Sequence, residues 1–168
     1  MVIWLLGISG SGKSTLGAKL KAYYDENNIQ SFILDGDTVR DFFDGDLGYT
    51  PDERRHNIKR ILLSAFVLEE NGIIPIICNI SPFESLRQFA REKLGDYVQI
   101  YLQKSLMDAQ KDDVKNIYKE NLNVTPIVGL DVEFESPETN ELVLNVESES
   151  VDDSFDKIIT YLDSRGTK

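Results

Sequence analysis

The sequence predicts a single α/β domain, in which helices cover both faces of a parallel β-sheet. Two observations predict it. Strand-like and helix-like segments alternate along the whole chain, which is the pattern of parallel strands joined by helical crossovers. The clearest strand-like segments are continuous apolar runs, as expected for strands buried on both faces. With 168 residues, 41% of them hydrophobic, the chain suits one domain over residues 1–168.

The N-terminal half contains two predicted strands and three predicted helices. Residues 2–6 are apolar throughout and stop at a glycine, so we expect a buried strand, and residues 13–27 repeat apolar side chains at helical spacing. A short strand over residues 31–34 ends at an Asp-Gly-Asp turn, and a short helix follows at 38–44. A Pro-Asp-Glu start and an Asn-Gly stop delimit a long helix at 52–71.

The C-terminal half continues the alternation. Residues 73–80 give the strongest strand signal of the chain, because they are apolar almost without interruption. Helices with charged outer faces and shorter strands follow it to the C-terminus. The further predicted strands and helices are 82–94 (helix), 97–102 (strand), 105–122 (helix), 142–146 (strand) and 151–164 (helix).

The charge and the cysteine count restrict the partners and the compartment. A formal net charge of -11 repels phosphate backbones and anionic lipids, so we expect neither a nucleic acid polymer nor a membrane as partner, although a local basic pocket can still bind a small anion. Cys78 is the only cysteine and lies in an apolar run, so we expect a buried core thiol and no internal disulfide. The N-terminal apolar run is too short for a signal peptide or a membrane span. These features favour a cytoplasmic protein.

The segment that follows the first strand has the form of a phosphate-binding loop. It reads Gly7-Ile8-Ser9-Gly10-Ser11-Gly12-Lys13-Ser14 and fits G-x-x-x-x-G-K-[ST] between a predicted strand and a predicted helix. Glycines let backbone amides close around phosphate oxygens, and the helix N-terminus adds its positive end. A plain glycine-rich turn would not explain Lys-Ser at this spacing. We therefore expect a P-loop NTPase fold that binds ATP and Mg²⁺.

In such a loop, Lys13 reaches the β- and γ-phosphates, and the hydroxyl of Ser14 binds Mg²⁺. The predicted ATP-binding residues are Gly7, Ser9, Gly10, Ser11, Gly12, Lys13, Ser14 and Thr15.

A second polar group lies where the second predicted strand ends. Asp35 and Asp37 stand at its carboxyl end, the edge at which open parallel sheets bind ligands. Two carboxylates there can orient a metal ion or accept a proton from a hydroxyl group. Arg40 follows Asp37 by three residues and shares its helical face. The alternative is structural: a turn followed by a helix N-cap.

Four basic residues cluster in an otherwise acidic chain: Arg54, Arg55, Lys59 and Arg60. Such a cluster can hold an anionic acceptor through paired donors. The alternative, which applies most to Arg55, is a solvated helix face. We expect His56 to be a surface residue.

Further motifs give the chain a resemblance to a known family. In order they are Ile3-Trp4-Leu5, Asp35-Gly36-Asp37-x-x-Arg40, Leu47-Gly48-Tyr49, Arg54-x-x-Asn57-Ile58-Lys59-Arg60, Ile80-Ser81-Pro82-Phe83, Lys115-x-x-Tyr118, Gly129-x-Asp131-x-x-Phe134-Glu135-x-Pro137 and Glu141-Leu142-Val143-Leu144. This ordered set, which covers nearly the whole chain, resembles the adenylylsulfate kinase family. Those enzymes phosphorylate the 3′-hydroxyl of adenosine 5′-phosphosulfate. The family is often dimeric, so the resemblance also implies a homodimer.

The resemblance implies roles for individual residues. Asp37 would be the base, Lys13 and the lid residue Lys115 would complete the catalytic set, and Ser14 with Asp35 would lie at the metal. In the acceptor site, Tyr49 would stack on the base, and the backbone of Ile80-Ser81 would contact the nucleotide. The implied acceptor-binding residues are Asp35, Asp37, Arg40, Tyr49, Arg54, Asn57, Ile80, Ser81, Lys115 and Ile127.

Two positions depart from the family pattern. Where members carry Arg-Asp before the lid lysine, this chain has Lys111-Asp112-Asp113, with Asp112 at the arginine position. Where members carry Phe-Thr-Gly, whose phenylalanine stacks on the acceptor adenine, this chain has Ile127-Val128-Gly129. Loss of that aromatic face removes a contact worth ~1 kcal/mol or more, which would weaken the binding of adenine.

The leading hypothesis is therefore an ATP-dependent kinase for the 3′-hydroxyl of a nucleotide, and a divergent one. Such a branch is cytidine diphosphoramidate kinase, which acts in bacterial capsule modification. An authentic adenylylsulfate kinase of sulfate assimilation is the first alternative. A non-catalytic ATP-binding module and a sugar-acid kinase are two others. The complete phosphate loop and the nucleotide-type acceptor set favour a nucleotide kinase over both.

Overall fold

The structure is a computed structural model that describes residues 1–111 and 126–166. Its centre is a five-stranded sheet in the order β2-β3-β1-β4-β5, and every neighbouring pair of strands is parallel. The strands are β1 (Val2–Leu6), β2 (Ser31–Asp35), β3 (Ile74–Cys78), β4 (Tyr97–Gln103) and β5 (Leu142–Asn145). The predicted parallel sheet is confirmed, and all five predicted strands are present with ends shifted by two residues at most.

Helices cover both faces of this sheet, as predicted. They are α1 (Lys13–Glu26), α2 (Gly36–Phe42), α3 (Pro51–Glu70), α4 (Glu84–Lys93), α5 (Leu106–Lys111) and α6 (Val151–Ser164). The described part of the helix predicted at 105–122 is α5, and the rest of that prediction lies outside the described residues. Within the described parts of the chain, none of these helices combines the length and the apolar character that crossing a membrane needs.

The two faces of β1 build two separate hydrophobic cores, because successive side chains of a strand point in opposite directions. Trp4 and Leu6 join the core formed with α2, α3 and α4, whereas Ile3 and Leu5 join the core formed with α1 and α6. All five residues of β1 are buried. This explains why the run is apolar throughout, and it fixes the strand at the centre of the molecule.

The register of the sheet brings three strand ends into one row. Leu5 of β1 pairs with Cys78 of β3, and Cys78 pairs with Asp35 of β2. The chain leaves each strand within two residues of this row. The segments after β1, β2 and β3 are therefore neighbours at the carboxyl edge of the sheet.

Cys78 lies in this row as the buried core thiol that the sequence predicts. It is buried against Gly17 of α1, and a Cβ added to that glycine would lie 2.5 Å from the sulfur. Burial is the main cause that raises the pKa of the Cys78 thiol to about 12. The thiol thus stays protonated at neutral pH and fills space between helix and sheet, as inert core cysteines do.

The start of α3 is fixed by a capping box. The Thr50 side chain accepts a hydrogen bond from the Glu53 backbone N–H, and the Glu53 carboxylate accepts one from the backbone N–H of Thr50. Pro51 follows at the first helical position, where its missing N–H costs nothing. This cap sets the first turn of the helix that carries Arg54 and Asn57.

The capping box gives a stability prediction. The Thr50→Ala substitution should lower the free energy of unfolding by about 1 kcal/mol, because the Glu53 backbone N–H loses its acceptor and the Glu53 carboxylate loses the Thr50 hydroxyl. Chemical denaturation monitored by circular dichroism measures the change. Thr160→Ala, at an exposed site inside α6, is the matched control and should change stability by less than about 0.5 kcal/mol. Equal effects in the two variants would contradict the role of the cap.

Candidate functional site

The phosphate-binding loop connects β1 to α1. Its first glycine, Gly7, has φ 149, and a Cβ there would lie 2.5 Å from the carbonyl oxygen of Leu102 on β4. Gly12 has φ 92 and is the N-cap of α1, where it has no side chain to occupy the helix N-terminus. The loop is therefore kept close to the sheet, with its backbone open towards a ligand at the positive end of the helix.

Lys13 folds back over this loop. Its Nζ donates hydrogen bonds to the carbonyl oxygens of Gly7, at 2.9 Å, and Ile8, at 2.7 Å. Ser11 Oγ accepts a third bond at 3.3 Å. The ammonium group is thus positioned over the loop in which the phosphates of ATP would lie. Ser9 lies half-buried on the same loop, and Ser14 and Thr15 are exposed on the first turn of α1.

Asp35 links this loop to α2. One carboxylate oxygen, Oδ1, accepts a hydrogen bond from the Asp37 backbone N–H at 2.9 Å, and the other, Oδ2, accepts one from Ser14 Oγ at 3.3 Å. The structural alternative of an N-cap is thus observed, and so is the contact with the phosphate loop. Oxygen ligands of this kind suit Mg²⁺, which also takes phosphate oxygens and water. The oxygens of Ser14 and Asp35 therefore fit the Mg²⁺ ion that these residues were predicted to hold.

Asp37 is an accessible acidic group at this edge. Its side chain is 66% exposed, and its Oδ1 lies 3.8 Å from the guanidinium group of Arg40, one helical turn further along α2. An accessible carboxylate beside a buried cation can accept a proton from a bound hydroxyl group. The placement agrees with the predicted role as base, which stays a prediction.

The acceptor residues predicted on α2 and α3 meet around Tyr49. The guanidinium carbon of Arg40 lies 4.5 Å from the centre of the Tyr49 ring, and that of Arg54 lies 5.2 Å from it. Arg54 Nε also donates to the Tyr49 carbonyl oxygen at 2.8 Å. Both arginines are buried, so two guanidinium groups and an aromatic ring form one compact unit.

This unit can attract an anion in an acidic protein. Burial, and secondly the neighbouring Arg40, lower the pKa of Arg54 to about 10, so the group stays charged at neutral pH. Two like charges held close together raise each other's energy, and an anionic ligand between them relieves that repulsion. The arrangement therefore favours an acceptor that carries negative charge.

The carbonyl oxygen of Gly36 connects α2 and α3 next to this unit. It accepts hydrogen bonds from Arg40 Nη1 at 3.3 Å and from Asn57 Nδ2 at 3.0 Å. Asn57 is completely buried, and its Oδ1 meets no hydrogen-bond donor among the described residues. A buried oxygen without a partner is costly in a protein, so this atom is a candidate contact for a ligand donor.

Ile80 and Ser81 form the turn after β3. Ser81 has φ 49, a left-handed conformation that is uncommon for serine. Its Oγ accepts from Trp4 Nε1 at 2.8 Å, and its carbonyl oxygen accepts from Arg87 Nη1 at 2.6 Å. The turn is therefore held firmly, and the predicted backbone contact of Ile80 and Ser81 with a nucleotide stays a prediction.

Ile127 lies in a small apolar cluster with Ile8 of the phosphate loop and Ala109 of α5. The residue is only 5% exposed. Its backbone N–H donates to Asp131 Oδ2 at 2.8 Å. An aliphatic side chain enclosed in this way offers little surface on which a base could stack. The predicted contact of Ile127 with the acceptor stays a prediction.

Two predicted features lie outside the described residues. Lys115, the predicted lid lysine, is one, and Asp112, at the arginine position of the family, is the other. Close by, Lys111 forms an ion pair with Asp108 at 2.8 Å. Arg54 Nη2 donates to the carbonyl oxygen of Pro126 at 2.6 Å and so connects the acceptor unit to the segment that precedes Ile127.

The predicted basic cluster on α3 is divided. Only Arg54 reaches the acceptor unit. Arg55 stacks on the ring of Phe83, with 3.9 Å between the guanidinium carbon and the ring centre, and Arg60 forms a two-pronged ion pair with Asp46. Lys59 is exposed, and so is His56, as expected. The cluster as a unit was a wrong prediction, because side chains one residue apart on a helix face different directions.

An open cleft of about 170 Å³ lies on the other side of the phosphate loop. The loop, Lys104 after β4 and the connection from β5 to α6 line it. Lys104 Nζ donates to the Gly10 carbonyl oxygen at 3.2 Å. Because the loop residues Gly10 to Gly12 line this cleft, it is a candidate place for the nucleoside part of ATP.

Sequence reasoning missed three residues of the site: Trp4, Asn79 and Arg87. All three hold the turn at Ser81, and two of them are almost completely buried. Only Asn79 carries a usable signal, because it is a polar residue directly after a buried strand at the ligand edge. Trp4 and Arg87 look like an ordinary core residue and an ordinary helix surface residue.

Comparisons with known proteins agree on one family. The family model described as Adenylylsulphate kinase matches residues 1–145. The adenylyl-sulfate kinase of Staphylococcus carnosus is 34% identical over 98% of this chain and 85% of its own length. That of Clostridium acetobutylicum is 36% identical over 96% of this chain and 82% of its own length.

Solved structures lead to the same group. An adenylylsulfate (APS) kinase of Mycobacterium tuberculosis, solved in complex with AMPPNP and adenosine 5′-phosphosulfate (APS), superposes with a TM-score of 0.90 at 27% identity. The match covers 96% of this chain and 96% of that chain. A hexameric APS kinase from Thiobacillus denitrificans has a TM-score of 0.73 at 27% identity, and covers 98% of this chain and 29% of that one. Shikimate kinase from Aquifex aeolicus, at 15% identity and a TM-score of 0.60, shares the fold.

The geometry of the loop gives a prediction for nucleotide binding. Lys13→Ala should weaken Mg·ATP binding at least about tenfold, because it removes the charge placed over the phosphates. Isothermal titration calorimetry measures the dissociation constant. Lys21→Ala, on the exposed face of the same helix, should bind as the unchanged protein does. Equal affinities of the Lys13→Ala and Lys21→Ala variants would show that the loop does not hold a triphosphate.

Proposed function

The chain belongs to the adenylylsulphate kinase family, and we propose that it transfers the γ-phosphate of ATP to the 3′-hydroxyl of an anionic nucleotide. One observation carries this proposal. The carboxylate of Asp35 contacts the phosphate loop through Ser14 and caps the helix that carries Asp37 and Arg40. A donor cradle and an acceptor group are thus joined by one side chain, as phosphoryl transfer between two bound molecules requires.

On the donor side, the loop backbone and Lys13 would bind the triphosphate of ATP. Ser14 and Asp35 would hold Mg²⁺, which neutralises phosphate charge when bound. The cleft beside Lys104 would take the nucleoside. Phosphoryl transfer needs little covalent chemistry from the protein, so positioning and charge neutralisation account for most of the catalysis.

On the acceptor side, the unit of Arg40, Arg54 and Tyr49 would hold the nucleotide, with the anion between the guanidinium groups and the base against the ring. Asp37 would accept the proton of the 3′-hydroxyl while the hydroxyl oxygen forms a bond to the γ-phosphorus. The bond from that phosphorus to the β,γ-bridging oxygen breaks, and ADP leaves. Lys115 stays the predicted lid residue that bridges the phosphates of donor and acceptor.

Adenosine 5′-phosphosulfate is the acceptor that the comparisons favour. The relatives named above are adenylyl-sulfate kinases, and one matching structure was solved with this nucleotide bound. Tyr49 remains available for the base, with 36% of its surface exposed. An authentic adenylylsulfate kinase is therefore the better supported form of the proposal.

A cytidine nucleotide, cytidine diphosphoramidate, is the second candidate. The observation in its favour is the burial of Ile127, which stands where a stacking phenylalanine would clamp adenine. A smaller pyrimidine depends less on a second stacking surface, since it has less ring area to cover. A role in capsule modification would follow only from this second candidate.

Steady-state kinetics with the two acceptors decides between them. With adenosine 5′-phosphosulfate as acceptor, we expect kcat/KM to exceed that with cytidine diphosphoramidate by at least about tenfold, as expected when a ring contact favours one base. The reverse order would establish the cytidine enzyme. Turnover of neither acceptor by a protein that binds Mg·ATP would refute both forms and favour a non-catalytic module.

The proposed base gives a second kinetic prediction. Asp37→Asn should lower kcat by roughly 10²-fold or more, because the amide is isosteric but accepts no proton. Asp41→Asn, an exposed site on the same helix, is the matched control and should keep its turnover. Unchanged turnover in Asp37→Asn would remove this residue from the role of base.

The homodimer implied by the resemblance also stays a proposal. One related APS kinase, from Thiobacillus denitrificans, is hexameric, so a dimer is not the one assembly to test for. Sedimentation equilibrium of the full chain would give its own state.

A further inference from the structure

Asn79, which holds the turn at Ser81, also lies between the two halves of the proposed site. It directly follows β3, which is the strand that lies between β2 and β1 in the sheet. Its backbone N–H donates to the Leu5 carbonyl oxygen at 3.2 Å, two residues before the phosphate loop begins. The position of this backbone is therefore set by the strand that precedes the loop.

The Asn79 side chain holds the turn at Ser81. Its Oδ1 accepts from the Ser81 backbone N–H at 2.9 Å and from Ser81 Oγ at 3.1 Å. Ser81 has the left-handed φ of 49, which a non-glycine residue keeps only when its surroundings hold it there. Asn79 supplies two of the contacts that do so.

The other end of the same amide packs on Gly36. A Cβ added to Gly36 would lie 2.4 Å from Asn79 Nδ2, and its next contact, at 3.5 Å, is again an Asn79 atom. Gly36 is not among the glycines with positive φ, so its backbone conformation would accept alanine. The amide of Asn79 is therefore what excludes a side chain at residue 36. The carbonyl oxygen of that same glycine accepts from Arg40 and Asn57.

We propose that Asn79 is a positioning residue that sets the spacing between the acceptor turn at Ile80-Ser81 and the start of α2, which carries Asp37 and Arg40. This inference rests on the proposed function. Because the Asn79 amide lies between Ser81 and Gly36, the two regions that would contact the acceptor nucleotide stay at a constant distance from each other. The 3′-hydroxyl then faces Asp37 and the γ-phosphate at a fixed distance. Misplacement of reacting groups by ~1 Å is enough to slow a reaction about 10²-fold.

The test uses the full chain and separates the two substrates. In Asn79→Ala, the KM for the acceptor nucleotide should rise at least about fivefold, whereas the KM for ATP should stay within about twofold. A residue that only stabilised the fold would lower the apparent kcat through the folded fraction and leave both KM values unchanged. Asn71→Ala is the matched control, because the side chain of that exposed asparagine donates to the Val67 carbonyl oxygen at the end of α3, away from the proposed site. It should leave both constants unchanged.

A double-mutant cycle tests the contact with Gly36. Gly36→Ala should also raise the acceptor KM, because its new Cβ displaces the amide. In the Gly36→Ala, Asn79→Ala double variant the amide is absent, so the loss should be no larger than in Asn79→Ala alone. If Asn79→Ala does not fold, Gly36→Ala by itself provides the comparison of the two KM values.

Each outcome decides the inference. Additive losses in the cycle, or equal changes in both KM values, would overturn the positioning role while the proposed kinase activity stands. If the unchanged protein phosphorylates neither adenosine 5′-phosphosulfate nor cytidine diphosphoramidate, the proposed function fails, and the inference fails with it.

Discussion

The parallel pairing of β1, β3 and β2 is the constraint on which the site depends. Its hydrogen bonds align Leu5, Cys78 and Asp35 in one row, so three chain segments leave the sheet side by side. A parallel strand cannot turn back to its neighbour directly, so these segments are free to form a loop, a helix start and a turn. The phosphate loop, the start of α2 and the Ser81 turn occupy those three places. Strand register thus brings these three segments together, before any side-chain contact adjusts their spacing.

Charge is distributed unevenly over this frame. The chain has a net charge of -11, yet it buries Arg40 and Arg54 together beside Tyr49. Carbonyl oxygens of Gly36, Gly48 and neighbouring residues accept their N–H groups, which offsets part of the cost of removing the guanidinium groups from water. Selectivity for a small anion can thus coexist with a surface that repels polyanions, because the attraction is confined to one enclosed place.

Much of the fold and of the candidate site could be predicted from the sequence, and there are physical reasons why the rest could not. Continuous apolar runs identified the strands, and the glycine-lysine spacing identified the loop, because both patterns follow from short-range chemistry. The separation of Arg54 from Arg60 depends on helix rotation, and the pair of Arg60 with Asp46 depends on a turn that no periodicity predicts. The burial of Ile127 needed the packing of Ile8, far away in sequence. The contact of Asn79 with Gly36 joins the residues that directly follow two different strands, so no local pattern contains it.

The hydrogen bond from Trp4 to Ser81 has a practical consequence. Trp4 is the only tryptophan of the chain, and it is 2% exposed beside the ring of Tyr97. Its indole N–H ends on the turn that is proposed to face the acceptor. The tryptophan fluorescence of this protein therefore comes from a single side chain, which is hydrogen-bonded to one half of the proposed site. Its emission wavelength and lifetime form a built-in optical signal for the state of that turn.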